Sequence, residues 1–132
     1  MSREYQNCFI CGKDNPIGLK LDFEYPGDDS AKASFCVSEL YEGYPSVVHG
    51  GILSSLLDEV MAKAVIHSGK IAFTAKLTVS FRRPLAPGKQ VQLHGWIKEA
   101  KSRTLHTRAE LKDSDGIYAE AEAVFVVPRA QS

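Results

Sequence analysis

Between His49 and His67 the apolar residues fall at Ile52, Leu53, Leu56, Leu57, Val60, Met61, Ala64 and Val65. That i, i+1, i+4, i+5 repeat predicts an α-helix over residues 49–67 with one buried stripe. Gly50 and Gly51 open the segment. Gly69 follows it in the C′ region, where a left-handed residue is common. Elsewhere the pattern has period two, the spacing of half-buried strands. Ile17, Leu19, Leu21, Phe23 and Tyr25 alternate with Lys20, Asp22 and Glu24. A Pro26-Gly27-Asp28-Asp29 turn leads to Ala31, Ala33, Phe35 and Val37, which predicts a hairpin. Residues 38–48 lose the alternation, and Gly43, Pro45, Tyr41 and Tyr44 suit a loop folded over a sheet. Four more strands follow the helix: Ile71 to Phe81, Val91 to Ile97, Leu105 to Leu111 and Ile117 to Phe125. Pro84-Leu85-Ala86-Pro87-Gly88, Lys101-Ser102 and Asp113-Ser114-Asp115-Gly116 separate them.

The predicted order is β-β-α-β-β-β-β, an α+β arrangement. Short turns between consecutive strands make the sheet antiparallel. Each strand has one apolar face, and a single helix is available to cover it. The economical solution is a strongly curved sheet wrapped around that helix. The small residues Ala119, Ala121 and Ala123 would leave room for it. At 132 residues one domain over 1–132 is expected, with 1–16 as an N-terminal loop segment.

Sixteen basic residues balance sixteen acidic ones, which gives no electrostatic footprint for nucleic acid. No apolar run reaches membrane-spanning length and no leader pattern precedes the domain, so the expectation is a soluble, cytoplasmic protein without a membrane partner. Three cysteines are an odd count for a disulfide framework. Cys8-Phe9-Ile10-Cys11-Gly12 has the spacing of half a zinc site or a redox pair, but no second pair follows. It reads as a knuckle-like turn. His67, His94 and His106 have no metal-ligand spacing with another histidine or cysteine, so no metal is expected.

The helix carries two adjacent acids, which point about 100° apart. Glu59 and Lys63 form an i, i+4 pair in the favourable order, which predicts a solvated surface acid. Asp58 lies at the edge of the apolar stripe with Met61 and Ala62 as its helical neighbours, and no local cation supports it. An acid so placed faces a polar site, a partner subunit or solvent. The first turn presents bare N–H groups and the positive end of the helix dipole. Gly50 and Gly51 let a ligand approach them, so a carbonyl bound there would be polarised as in an oxyanion hole. His49 is placed to cap or orient the turn.

His49-Gly50-Gly51 with an acid nine residues after the histidine, on the one helix of this chain, resembles the hotdog-fold acyl-CoA thioesterases of the PaaI-like and 4-hydroxybenzoyl-CoA type. Cys8-x-x-Cys11-Gly12 with Asn15-Pro16-Ile17-Gly18-Leu19, and Gly43-Tyr44-Pro45, resemble one branch of that family. The resemblance implies a hotdog fold that hydrolyses an acyl-CoA thioester to free acid and CoA. It makes Asp58 the catalytic general base or nucleophile and the Gly50 N–H the oxyanion donor, with His49 holding the loop. Some members place Asn or Gln six residues before the histidine to position water; here Gly43 stands there. Thr74 of the partner subunit is a candidate substitute. Gly51, Met61 and Tyr44 become candidate pocket residues, and Arg82, Arg83, Lys101 and Arg103 candidate phosphate contacts. Family members form homodimers through the long strand, and often homotetramers, with sites at the dimer interface. CoA enters as part of the substrate, so no cofactor is expected.

Two other classes fit the same fold. A non-catalytic acyl-CoA or acyl-lipid sensor would keep the pocket and lose the acid or the glycine turn. A dehydratase or hydratase needs a catalytic histidine placed differently from His49, which precedes the helix.

Overall fold

The computed structural model describes residues 6–129. Its elements are β1 (Ser30–Cys36), α1 (Gly50–His67), β2 (Phe73–Phe81), β3 (Gln90–Ala100), β4 (Thr104–Asp113) and β5 (Gly116–Val126), with a 3₁₀ turn at Glu39–Tyr41. The five strands form one antiparallel sheet in the order β1-β3-β4-β5-β2. The single helix lies against its inner face. Leu53, Leu56, Leu57, Val60, Met61, Ala64 and Val65 of α1 are buried there with Leu93, Leu105, Leu111 and Phe125 of the sheet. Ala119, Ala121 and Ala123 of β5 are also buried, as their size suggested. Gly95 in β3 sets the closest approach. A Cβ there would lie 2.9 Å from Val60 Cγ1 and 3.0 Å from the Val60 backbone, so glycine lets helix and strand touch.

The helix ends where the sequence suggested. His49 is the N-cap, and its Nδ1 accepts from the Gly51 N–H at 2.8 Å. Gly69 adopts φ +97° after the Ser68 cap, the left-handed step that stops the helix. The β4–β5 turn uses Gly116 at φ +128°.

The predicted first strand is a correction. Residues 17–25 form no strand; all that survives of the hairpin is one antiparallel bridge, Glu24 to Lys32. Lys20 takes φ +58°, which breaks the alternation midway. The N–H groups of Leu19 and Leu21 donate to the carbonyls of Phe9 and Ile10, both at 2.9 Å, so this stretch pairs with the Cys8–Cys11 loop and only Glu24 reaches β1. Ile17 is consequently 68% exposed.

β1 and β2 are the two sheet edges. In register, Leu77, Val79 and Phe81 of β2 stand opposite Ala123, Ala121 and Ala119 of β5, so they share the inner, helix-bearing face. The helix covers them only in part: Val79 is half-buried against the core, while Leu77 and Phe81 stay exposed. Phe73 and Phe81 are 65% and 54% exposed, and Ile71 just before β2 is 67% exposed.

Candidate active site

Asp58 sits half-buried on α1, on the side that faces β2. Its Oδ1 accepts a 2.7 Å hydrogen bond from Thr74 Oγ1. The register of β2 against β5 slips between Thr74 and Lys76, and such a bulge re-aims the side chain beside it. Thr74 is expected from the sequence as a water-positioning residue from the partner subunit; within this chain its hydroxyl is spent on Asp58 itself. Thr74 comes from the same chain, because the helix and β2 are already adjacent.

The other half of the site is the helix start. Val48 donates to Leu85 and the His49 N–H donates to Tyr41, which fixes the loop ahead of the helix. His49 is exposed, and its ring spends its acceptor on Gly51. The Gly51 N–H is thus committed within the chain. The Gly50 N–H makes no hydrogen bond among the described residues and is the donor left for a ligand. Phe81 lies over it: a Cβ on Gly50 would sit 3.5 Å from the ring. Nothing in the strand pattern around Phe81 singled this residue out, since its role depends on where β2 ends. A Cβ on Gly43 would lie 3.3 Å from His49 Cα, so Gly43 packs directly beside the histidine. It contributes no side chain that could hold water.

Gly50 and Asp58 do not meet within one chain. Eight residues of α-helix separate them by about 12 Å along the axis.

The remaining candidates divide. Met61 is fully buried and accepts from Thr107 Oγ1 at 3.1 Å, so it is core and lines no surface of this chain. Tyr44 is 83% exposed on the loop. Arg82 pairs with Glu120 at 2.8 Å, and Arg83 stacks over Tyr118 at 4.4 Å. Lys101 is exposed beside Glu99 at 3.6 Å. Arg103 donates to the Val127 carbonyl at 2.9 Å, which ties down the segment after β5. An apolar groove of about 560 Å³, lined by Ile71, Phe73, Val127 and Pro128, begins one residue from Thr74.

Glu59 is also corrected. It keeps the expected pair with Lys63, at 3.7 Å, but neither is solvated: their side chains are 19% and 5% exposed. The Cys8–Cys11 loop covers them, with Cys8 Sγ at 3.6 Å and Cys11 Sγ at 3.4 Å from Glu59 Oε2. Burial, with the neighbouring Cys8 and Glu59, pushes the Cys11 thiol up to about 12. Burial opposes the Lys63 charge, but the Cys11 contact and the nearby Glu59 outweigh it and hold the ammonium above its ordinary value.

Among proteins of known sequence, acyl-coenzyme A thioesterase THEM5 of Mus musculus is 26% identical over 106 residues, 79% of this chain and 43% of its own length. The chain thus spans less than half of the curated relatives it matches first. A thioesterase superfamily protein of known crystal structure superposes with a TM-score of 0.83 at 28% identity, covering 89% of this chain and 61% of its own. A hypothetical thioesterase of Streptococcus pneumoniae, crystallised with coenzyme A, shares the fold with a TM-score of 0.77 at 17% identity, over 82% of this chain and 85% of its own. Two further structures of that streptococcal protein carry alanine in place of one threonine and of one aspartate. The five-stranded antiparallel sheet around one helix is the hotdog fold of these proteins. The sequence pattern of the Thioesterase superfamily matches residues 46–120, from the loop before His49 into β5 as far as Glu120, and the chain belongs to that superfamily.

Proposed function

We propose that this protein hydrolyses an acyl-CoA thioester, with Asp58 as general base or nucleophile and the Gly50 N–H as oxyanion donor, in a site built from two copies of the chain. The observation that carries the reading is the hydrogen-bonded pair of Asp58 and Thr74 beside the uncovered β2 edge. The Thr74 hydroxyl holds one oxygen of Asp58 and leaves the other for water or for a carbonyl carbon. The threonine and aspartate altered in the streptococcal protein lie as far apart in its chain as Thr74 and Asp58 do here, sixteen positions.

The dimer follows from two physical arguments. A helix separation of about 12 Å bars Asp58 and Gly50 of one chain from acting on the same carbon. Meanwhile β2 offers an edge unpaired among the described residues and the exposed apolar side chains Ile71, Phe73 and Phe81. An edge of this kind pairs with another strand unless something protects it. A two-fold pairing of β2 with its copy covers these side chains and brings the Asp58 face of one chain towards the Gly50 turn and Phe81 of the other. The acyl-CoA then lies in the interface. Arg83 and Lys101, which make the loosest contacts of the four basic candidates, supply charge for the phosphates. A sensor on this fold would lose the acid or the glycine turn; the chain keeps both Asp58 and Gly50-Gly51, which favours hydrolysis over acyl-CoA sensing.

Subunit complementation tests this. Gly50 is the first helical residue and His49 before it has φ −58° and ψ 132°, so proline suits the backbone there; it deletes the N–H and sets ring carbons beside Phe81. Gly50→Pro and Asp58→Asn homodimers should each release almost no free thiol from a panel of acyl-CoAs. Random mixing should restore about a quarter of wild-type turnover, because half of the dimers then hold one intact site of two. No recovery on mixing would refute the two-chain site. No thiol release from the wild type, with CoA esters still bound, would refute the enzyme and leave a sensor.

A further inference from the structure

On the side of α1 away from β2, Cys8, Cys11 and Glu59 bring one ligand atom each to within 4.8 Å of one another. We propose that these three residues bind a zinc ion that fastens the N-terminal loop to the helix. This goes beyond the thioesterase reading and does not depend on it.

The spacing is the first argument. Tetrahedral zinc with Zn–S of about 2.3 Å and Zn–O of about 2.0 Å sets sulfur and carboxylate oxygen about 3.5 Å apart. The distances here are 3.6 Å for Cys8 and 3.4 Å for Cys11, both to the same Oε2 of Glu59. Both sulfur–oxygen edges thus already have the length of a zinc tetrahedron, the two sulfurs lie within 4.8 Å of one another, and a water would complete the site.

The loop is shaped to hold the sulfurs in place. Gly12 donates to the Cys8 carbonyl at 2.9 Å. A Cβ at Gly12 would lie 2.3 Å from the Cys8 nitrogen and from the Gln6 carbonyl oxygen, so the turn accepts only glycine. Leu19 and Leu21 donate to Phe9 and Ile10, the two residues between the cysteines. Ile10 and Cys11 are 4% and 0% exposed, which seats the knuckle in the core.

Charge is the third argument. A zinc ion with two thiolates and one carboxylate carries a net charge of −1, which is costly to bury alone. Lys63, 4% exposed and paired with Glu59 at 3.7 Å, supplies the compensating +1. Its ammonium also interacts with Cys11, so it acts as an outer partner that stabilises a thiolate ligand. Binding would release the two thiol protons to solvent and form two Zn–S bonds and one Zn–O bond, with no change of oxidation state. The third ligand comes from a helix forty-eight positions after Cys11, which is why the sequence showed no second pair.

Cobalt(II) is the probe, because its thiolate complexes absorb in the near ultraviolet. The full chain, treated with chelator under reducing conditions and titrated with Co²⁺, should develop a thiolate-to-cobalt band that saturates at one ion per chain. Added Zn²⁺ should then bleach it. Glu59→Gln should weaken binding about tenfold or more, as loss of a ligand or its support does in other metal sites. Cys8→Ser should abolish the band, while Cys36→Ser, exposed and bonded to Gln90 at 2.9 Å, should leave it intact. If Cys8→Ser fails to fold, the wild-type titration alone decides. A folded wild type that gives no band at micromolar Co²⁺ overturns the proposal, as does a band that survives in Cys8→Ser.

Discussion

Asp58 and Glu59 are neighbours in sequence and meet opposite surroundings. Asp58 faces the β2 edge, half-buried, with one hydroxyl on one oxygen. Glu59 faces the N-terminal loop, with two sulfurs within 3.6 Å and an ammonium at 3.7 Å. One acid keeps an oxygen available; the other is enclosed. A rotation of about 100° around a helix is enough to separate a carboxylate suited to chemistry from one suited to holding structure. Substitutions on the two faces should therefore fail in different ways.

The largest effect belongs to Asp58. Asp58→Asn keeps the shape and the Thr74 contact but removes the base, and turnover of acyl-CoA should fall by about 10²–10⁴-fold. Its thermal midpoint should match the wild type, which circular dichroism checks. A large drop in stability would mean that Asp58 is structural and that the two faces do not differ as described.

Lys63→Met should act the other way round. It leaves Glu59 beside the two sulfurs without its cation, and breaking a buried pair by removing one partner costs about 3 kcal/mol or more. Urea unfolding should show that loss in metal-free protein. Folded Lys63→Met should still turn over substrate at a rate near the wild type. The double variant Glu59→Leu with Lys63→Met should recover most of the stability, because an apolar pair replaces the ion pair.

Thr74→Val tests the finer division on the Asp58 side. It removes the 2.7 Å hydrogen bond but keeps the branched shape at the bulge. Loss of one hydrogen bond to a charged group is worth about 1.5–3 kcal/mol, so kcat should drop by about ten- to a hundredfold. Because the hydroxyl orients the base and does not bind the acyl chain, KM should change little. A rise in KM with unchanged kcat would make Thr74 a substrate contact and not a positioning residue.

The contrast between the two acids also marks what was legible in the chain. The helix, its glycine start, the Gly69 stop and the four strands after it followed from period and turn chemistry, which are local. Asp58 stood out for the same reason: it lacked a helical partner. The failures involve the first thirty residues. Ile17 to Tyr25 alternate like a strand, yet the carbonyls of Phe9 and Ile10 capture the amides of Leu19 and Leu21, and Lys20 turns left-handed between them. Glu59 and Lys63 were read correctly as a pair and wrongly as solvated, because the loop that buries them lies about fifty positions away. Thr74 is expected from the sequence to hold water from the partner subunit, whereas within the chain its hydroxyl bonds Asp58 itself. Local periodicity reports which face of an element is apolar; it does not report what comes to cover the polar one.

The smallest expected effect lies outside both faces of the helix, and it sharpens the contrast by serving as a reference. His94 is on the outer side of β3, tilted against Trp96 at a 5.0 Å centroid distance. Burial lowers its pKa from the ordinary 6.5, with Lys32 and Lys112 adding to the shift and Glu110 opposing it. A histidine with a depressed folded pKa favours the neutral form, so its stabilising contribution is complete above pH 6.5 and is lost as pH falls through the folded value. The wild type should unfold at lower urea concentration at pH 5 than at pH 8, and His94→Gln should remove part of that difference. Turnover at pH 8 should be unchanged in the variant, since His94 touches neither the Asp58 face nor the Gly50 turn. An unaltered pH slope in His94→Gln would show that the acid sensitivity between pH 5 and pH 8 comes from groups other than His94.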